Sequence, residues 1–238
     1  MALIGLIFAR GGSKTIPNKN LQYIRNNRLL DIAILDLQKS NLCDFNCISS
    51  DSELILEVGE IHKVNKLKRP DYLAADNSSE IYSWKHAIDT LNLSMNDILL
   101  IAPTTSPFRS INTLRDAVIK LSKNKSLDGI IGVMETSMHP MFNMVRKFDN
   151  TVQLWDKDQG RLINRQQGNN CFDVTTVCFC YRASSIKRMT NIFDGKIGFV
   201  EVSNIEGFDI DTPLDLAFVR YLANEGSRFL SSLNKEYL

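Results

Sequence analysis

Hydrophobic positions in this chain follow two rhythms. Short, nearly unbroken apolar runs alternate with stretches in which apolar residues recur every three or four positions. The first rhythm predicts buried strands and the second predicts helices lying on them. "ALIGLIFA" (Ala2–Ala9) reads as the first strand, and "LLDIAILDLQKS" (Leu29–Ser40) as the first helix. "NCISSD" predicts a short second strand ending on Asp51, followed by helix in "SELILEVGEIHKV". A polar loop leads to a third helix in "EIYSWKHAIDTL". "DILLIA" (Asp97–Ala102) is a strand stopped by "PTTSP"; helix "INTLRDAVIKLSK" and strand "DGIIGVME" follow. Repeated β-α order as far as residue 135 predicts the α/β class, with a mainly parallel, three-layer sheet.

From about Thr136 to Asn170 the rhythm breaks. "HPMFNMV", "TVQLWD" and "RQQGNN" hold no long helical pattern, and the stretch reads as an inserted β-rich lobe or arm. Order resumes with "DVTTVCFCY", a helix near Ser184–Thr190, the strand "IGFVEV" and a last helix from about Thr212. No repeat, low-complexity tract or linker interrupts the chain, so residues 1–238 are expected to form a single domain with an excursion at 136–170.

Composition narrows the function. Hydrophobic residues make up 44% and charged residues 23% of 238, as in ordinary globular domains. A formal net charge of +1 supplies no global field for nucleic acid or an anionic membrane, so any anion must be met by local clustering. No apolar run is long enough to span a bilayer, and none has the form of a signal peptide, so a cytoplasmic location is expected. The five cysteines lack zinc-ribbon spacing; Cys178 and Cys180 share a strand face, and buried free thiols are expected.

Charge is concentrated at one place. "FARGGSKTIPNKN" (Phe8–Asn20) carries Arg10, Lys14 and Lys19, two glycines and no acid; the first acidic side chain of the protein is Asp31. Ligands of open α/β sheets bind beyond the carboxyl ends of the strands. Gly11 and Gly12 let the backbone turn and bring N–H groups to an anion, while the three cations surround the same volume, an arrangement suited to a polyphosphate. Neither GxxxxGK[ST] nor GxGxxG is present, and a solvated basic loop is the plain alternative.

At the other end, "FDIDTPLDL" sets Asp209 and Asp211 two apart before the last helix. In an extended segment they face the same way, as a pair of hard oxygen ligands for Mg²⁺, or one of them caps that helix. "RPDYLAADNSSE", "PTTSPFR" and "NRQQGNNCFD" contribute cations and hydroxyls that could complete a site.

In order along the chain, "ARGGSKTIPNKNL", "SSD", "RPDYLAAD", "TSPFR", "RQQ" and "FDIDTPLDL" resemble the acylneuraminate cytidylyltransferases, or CMP-sialic acid synthetases. "HPMFN" and "RQQGNNCFD" are more similar to the bacterial branch that handles legionaminic acid and related nine-carbon (nonulosonic) sugar acids. The resemblance implies a Rossmann-like three-layer nucleotidyltransferase fold of the nucleotide-diphospho-sugar transferase type. It also implies a homodimer joined by residues 136–170 as a dimerisation arm, and transfer of CMP from CTP to a sugar acid with Mg²⁺. Within the nucleotide-binding run Ala9–Asn20, it assigns Ala9, Arg10, Gly11, Gly12, Ser13, Lys14, Lys19 and Asn20 to CTP, chiefly its phosphates. Arg69, Ser78 and Ser79 lie by the cytidine in the same assignment. Thr105 and Ser106 face the junction with the sugar, Arg165 reaches the sugar carboxylate across the dimer, and Gln167 and Asp173 complete the sugar site. Asp209 and Asp211 hold the metal; Arg10, Lys14, Lys19 and Asp211 carry the transfer.

Three positions depart from the family pattern. Pro103 stands where a glutamine is frequent, Glu80 where a small hydroxyl residue is common, and Asp173 where a second arginine lies in the sialic-acid enzymes. An acid at 173 repels a sugar carboxylate and suits an amide N–H or a hydroxyl. Rival readings are a cytidylyltransferase for an octulosonic acid or a phosphonate, a metal-dependent glycosyltransferase using "DID", and a catalytically silent nucleotide- or RNA-binding protein. The near-neutral charge and the lack of a basic stripe with interleaved aromatics speak against RNA.

Overall fold

The structure, a computed structural model, describes residues 1–156 and 171–236; of residues 227–236 it describes the helical backbone alone. A seven-stranded sheet forms the centre. Its first strand, β1 (Leu3–Phe8), is an apolar run buried on both faces. Leu3 and Ile7 pack into one cluster and Ile4 and Leu6 into the other, as the two-residue period of a strand requires. A small ribbon, β2 (Tyr23–Ile24) and β3 (Asn27–Arg28), leads into α1 (Leu29–Ser40). Then come β4 (Phe45–Ser50), α2 (Glu53–Ile61), β5 (Asn65–Lys68), α3 (Glu80–Thr90), β6 (Ile98–Ile101), α4 (Ile111–Lys123) and β7 (Gly129–Glu135). After the excursion follow β10 (Phe172–Arg182), α5 (Ala183–Arg188), β11 (Ile197–Glu201) and α6 (Pro213–Glu236). The excursion itself begins with an antiparallel hairpin, β8 (Val145–Phe148) and β9 (Thr151–Leu154).

Strand order is β11-β7-β10-β6-β1-β4-β5, parallel except for β10, which runs antiparallel between β6 and β7. Helices α1, α2 and α4 cover one face through Ile34, Val58 and Leu114. α3 and α5 cover the other through Trp84 and Ile186, and Trp84 meets Phe179 and Tyr181 at ring-centroid distances of 5.6 and 5.4 Å. Three layers therefore result, as the β-α rhythm predicted. The rhythm did not reveal β5. Leu67 is its one buried residue, because an edge strand needs few apolar positions. Cys178 and Cys180 do share a face; both are buried, and burial pushes the Cys178 thiol up to about 12.

The chain leaves β1 for β4 and β5 on one side and returns to β6 on the other. That reversal opens a crevice at the carboxyl ends of β1 and β6, the usual place for a ligand in an open sheet.

Candidate functional site

A cleft of about 700 Å³ lies in that crevice. The loop after β1 lines one wall with Arg10, Ser13, Lys14, Lys19 and Asn20. Arg69 and Ser78, beyond β5, line another; Thr105, beyond β6, and Asp211, before α6, complete it. Half of the site residues assigned from the sequence thus meet in one place, although they come from four separate segments.

The basic loop is not a solvated excursion. Ile16 is buried in an apolar cluster with Ile24, Leu29, Ile210, Leu216 and Val219, which pins the loop to the segment before α6. Asn20 is braced: its amide donates to the Arg10 carbonyl (2.8 Å), and its carbonyl accepts from the Thr104 hydroxyl (2.6 Å). This side chain shapes the loop.

Gly11 differs from the expectation that its N–H faces an anion. That N–H donates to Asp51 Oδ1 (3.0 Å), and a Cβ at Gly11 would stand 2.8 Å from Ser52 Cβ. The glycine is needed for close approach to the end of β4. Asp51, the last residue of "SSD", also pairs with Arg69 (3.6 Å), so it ties together the ends of β1, β4 and β5. Gly12 is open, with nothing within 4 Å of a built Cβ. Ala9 is buried, and its N–H donates to Ser49 O (3.1 Å) as an extension of the sheet.

The cations carry an internal counter-ion that sequence reasoning missed. Asp76 bridges Arg10 (2.7 Å) and Lys14 (2.6 Å), and hydrogen bonds from Lys14 and then Arg10 hold its carboxyl below the usual range. The "RPDYLAAD" motif contained it, but no local signal ties Asp76 to a loop more than sixty positions away. Arg69 is buried; burial lowers its pKa, and the Asp51 charge opposes this. Its Nε has no partner among the described residues.

Of the paired aspartates, Asp211 lines the cleft and Asp209 accepts from the Thr176 hydroxyl (2.9 Å). Ile210 between them is fully buried, and its N–H donates to Thr105 O (3.0 Å), which fixes the extended segment. Neither aspartate side chain caps α6. Thr212 and Asp215 do so reciprocally: Thr212 N–H donates to Asp215 Oδ2 (2.7 Å) and Asp215 N–H to Thr212 Oγ1 (3.2 Å). Lys19 Nζ donates to the Ile210 carbonyl (2.8 Å) and lies 3.3 Å from Asp211 Oδ1. Burial raises the Asp209 pKa; hydrogen bonds from Thr105 and Thr176 oppose that shift, and the Asp211 charge adds to it. The Asp211 carboxylate and the Ile210 carbonyl already hold one ammonium, and with Asp209 they form an all-oxygen donor set of the kind that fits Mg²⁺. Among the described residues no cluster of three or more His, Cys, Asp or Glu side chains could hold a metal, so further ligands would come from phosphate or water.

Other sequence-derived candidates lie elsewhere. Ser106 is fully buried and bonds Thr176 (2.7 Å), so it supports the cleft wall from behind. Ser79 is the exposed residue before α3, and Asp173 is exposed near the start of β10; neither lines the cleft. Arg165 and Gln167 lie outside the described residues.

An open, mainly parallel sheet with a basic loop after its first strand, faced by Asp211 across the cleft, defines a Rossmann-like nucleotidyltransferase. The chain belongs to the cytidylyltransferase family, whose model matches residues 4–235. It is 26% identical over 227 residues to post-translational flagellin modification protein B of Campylobacter coli, covering 92% of this chain and 94% of that one. The CMP-N,N'-diacetyllegionaminic acid synthase of Legionella pneumophila is 27% identical over 240 residues, covering 93% and 96%. Among solved structures, a CMP:2-keto-3-deoxy-manno-octonic acid synthetase complexed with CTP superposes with a TM-score of 0.73 at 13% identity, covering 95% of this chain and 100% of that one. At that identity the likeness concerns the fold. No helix among the described residues is long and apolar enough to cross a membrane.

Proposed function

We propose that this protein transfers CMP from CTP to a nonulosonic acid of the legionaminic type, releasing pyrophosphate. The observation that carries this reading is the convergence of Arg10, Lys14 and Lys19 with Asp211 on one cleft, in a member of the cytidylyltransferase family. Relatives named as CMP-N,N'-diacetyllegionaminic acid synthases support the choice of acid.

In this reading the anomeric hydroxyl of the acid attacks the α-phosphorus in line, and pyrophosphate leaves with the bonding electron pair. Such transfers need positioning and charge neutralisation more than covalent help. Arg10 and Lys14 exchange Asp76 for the β- and γ-phosphates. Lys19, with the smallest exposure of the three cations, meets the charge at the α-phosphate. Arg69, which lines the cleft beyond β5, lies by the cytidine. Asp209 and Asp211 would hold Mg²⁺, which supplies Lewis-acid neutralisation of phosphate charge. Arg165 answers the sugar carboxylate from the partner subunit of a homodimer, and the enzyme works in the cytoplasm, where CTP is available. The 3-deoxy-octulosonic acid reading is second, favoured by the fold likeness to the octonic acid synthetase.

The test is pyrophosphate release with CTP and Mg²⁺ across N-acetylneuraminic, legionaminic, pseudaminic and 3-deoxy-octulosonic acids. Release with a nine-carbon acid, abolished by EDTA, is expected. Release with the eight-carbon acid alone would transfer the assignment to the second reading.

A further inference from the structure

Strand β10 does not run evenly past β7. Pairing holds to Thr175 opposite Gly132 and resumes at Phe179 opposite Ile131, so Thr176, Val177 and Cys178 form an irregularity. Bulges of this kind re-aim side chains near sites. Here Arg109 Nε donates to the Val177 carbonyl, and the Thr176 hydroxyl reaches the loop after β6.

That hydroxyl has three partners: Thr105 Oγ1 at 3.0 Å, Ser106 Oγ at 2.7 Å and Asp209 Oδ1 at 2.9 Å. A hydroxyl offers one proton and two lone pairs, and an ionised carboxylate only accepts. Thr176 therefore donates to Asp209, and Thr105 and Ser106 donate to Thr176. Every position on the Thr176 oxygen is filled. The single Thr105 proton is therefore turned away from the cleft, toward Thr176. Toward the cleft, which it lines, the Thr105 oxygen offers lone pairs alone. Ser106 is fully buried and cannot meet a ligand directly.

We infer that Thr176 is a positioning residue that makes Thr105 a dedicated hydrogen-bond acceptor for the second substrate. This rests on the cytidylyltransferase reading and deepens it. Thr105 selects a donor, an O–H or N–H, and disfavours a carboxylate or phosphate oxygen at that spot. The group that fits is the attacking hydroxyl: it donates a hydrogen bond to Thr105 and keeps a lone pair for phosphorus, and its proton passes to the departing pyrophosphate or to solvent as the P–O bond forms. The sugar carboxylate must then lie elsewhere.

Thr176→Val and Thr176→Ala remove the hydroxyl, while Thr176→Ser keeps it. With the acid that the wild type uses, Val or Ala should lower kcat/KM for the acid by about ten- to a hundredfold, the usual effect of losing such an orienting bond. CTP affinity by calorimetry should stay unchanged, and Ser should recover most of the rate. A Val or Ala variant as active as wild type, or a Ser variant as impaired as both, would overturn the inference. Crystal structures with CTP separate this from the substrate reading. If the wild type turns over none of the acids, that reading fails, but the hydroxyl arrangement is still decided. Thr105 or Asp209 turning away from β10 in the Val variant supports it, and both superposing on wild type refutes it.

Discussion

Asp76 occupies the position between Arg10 and Lys14 that the reading gives to phosphate. Its pairs are solvent-exposed, and exposed pairs are weak, so a triphosphate displaces them readily, yet the displacement subtracts from affinity. Asp76→Asn should therefore tighten CTP binding by about two- to fivefold, read by calorimetry. Unchanged or weaker binding would show that Asp76 acts otherwise. Asp211 is different: its side chain is 74% exposed and supports no packing. Asp211→Ala should leave Tm unchanged and reduce kcat by about a hundredfold or more, the scale seen when transition-state charge loses a partner. Near-normal turnover would remove Asp211 from the chemistry. Both residues stand in motifs that could be read from the chain. Their partners could not, because Asp76 and Lys19 act across long sequence separations through contacts that exist only after folding.

Elements are held in register by two polar devices. Arg109 is buried; it pairs with Asp36 of α1 (3.1 Å) and donates to the carbonyls of Pro103 and Val177. One guanidinium thus joins α1, the loop after β6 and the irregularity of β10. Burial lowers the Arg109 pKa and raises that of Asp36, each opposed by the other's charge. Breaking such a pair leaves an uncompensated charge, so Arg109→Met should destabilise by about 3–5 kcal/mol in urea unfolding. A loss near zero would show that Asp36 is relieved by water.

Asp128 is the second device. It accepts from Ser185 (2.7 Å), Arg188 (2.9 Å) and the Lys196 N–H (2.9 Å), joining α5 to the β7–β11 edge. The Ser185 bond is the chief cause of its lowered pKa, with Lys196 and Arg188 assisting against burial. A carboxyl whose pKa falls on folding adds stability above its unfolded value, and that stability is lost as pH falls through the folded value. Wild type should thus lose Tm below the ordinary carboxylate range more steeply than Asp128→Asn. Parallel Tm–pH curves would remove this role. Neither device was visible in the sequence, where Arg109 appeared as the end of "PTTSPFR" and Asp128 as the start of a strand.

At the scale of the whole molecule, the hairpin β8–β9 is conspicuous for what it exposes. Val145, Phe148, Val152 and Trp155 are 52%, 43%, 65% and 59% exposed. A two-stranded hairpin is marginal by itself, and grouped apolar side chains mark an interface. Val145 and Val152 lie on one face of the hairpin and Phe148 on the other; the proposed homodimer should use this hairpin, so Val152→Glu with Trp155→Glu should shift sedimentation from dimer to monomer. A wild-type monomer would remove the arm assignment.

The β-α order, the strand faces and the basic loop were legible in the chain, since periodicity and local composition are properties of neighbours in sequence. The excursion was legible as a break in that rhythm. What folding alone decided is pairing: that β10 enters antiparallel between β6 and β7, that β5 forms an edge, and that Thr212 with Asp215 relieves Asp209 and Asp211 of capping. The Thr176 hydroxyl belongs with these. Its role depends on a local irregularity of β10 and on three oxygens brought within 3.0 Å from two distant segments. Hydrogen bonds of that kind depend on distance and direction in space, which sequence periodicity does not encode.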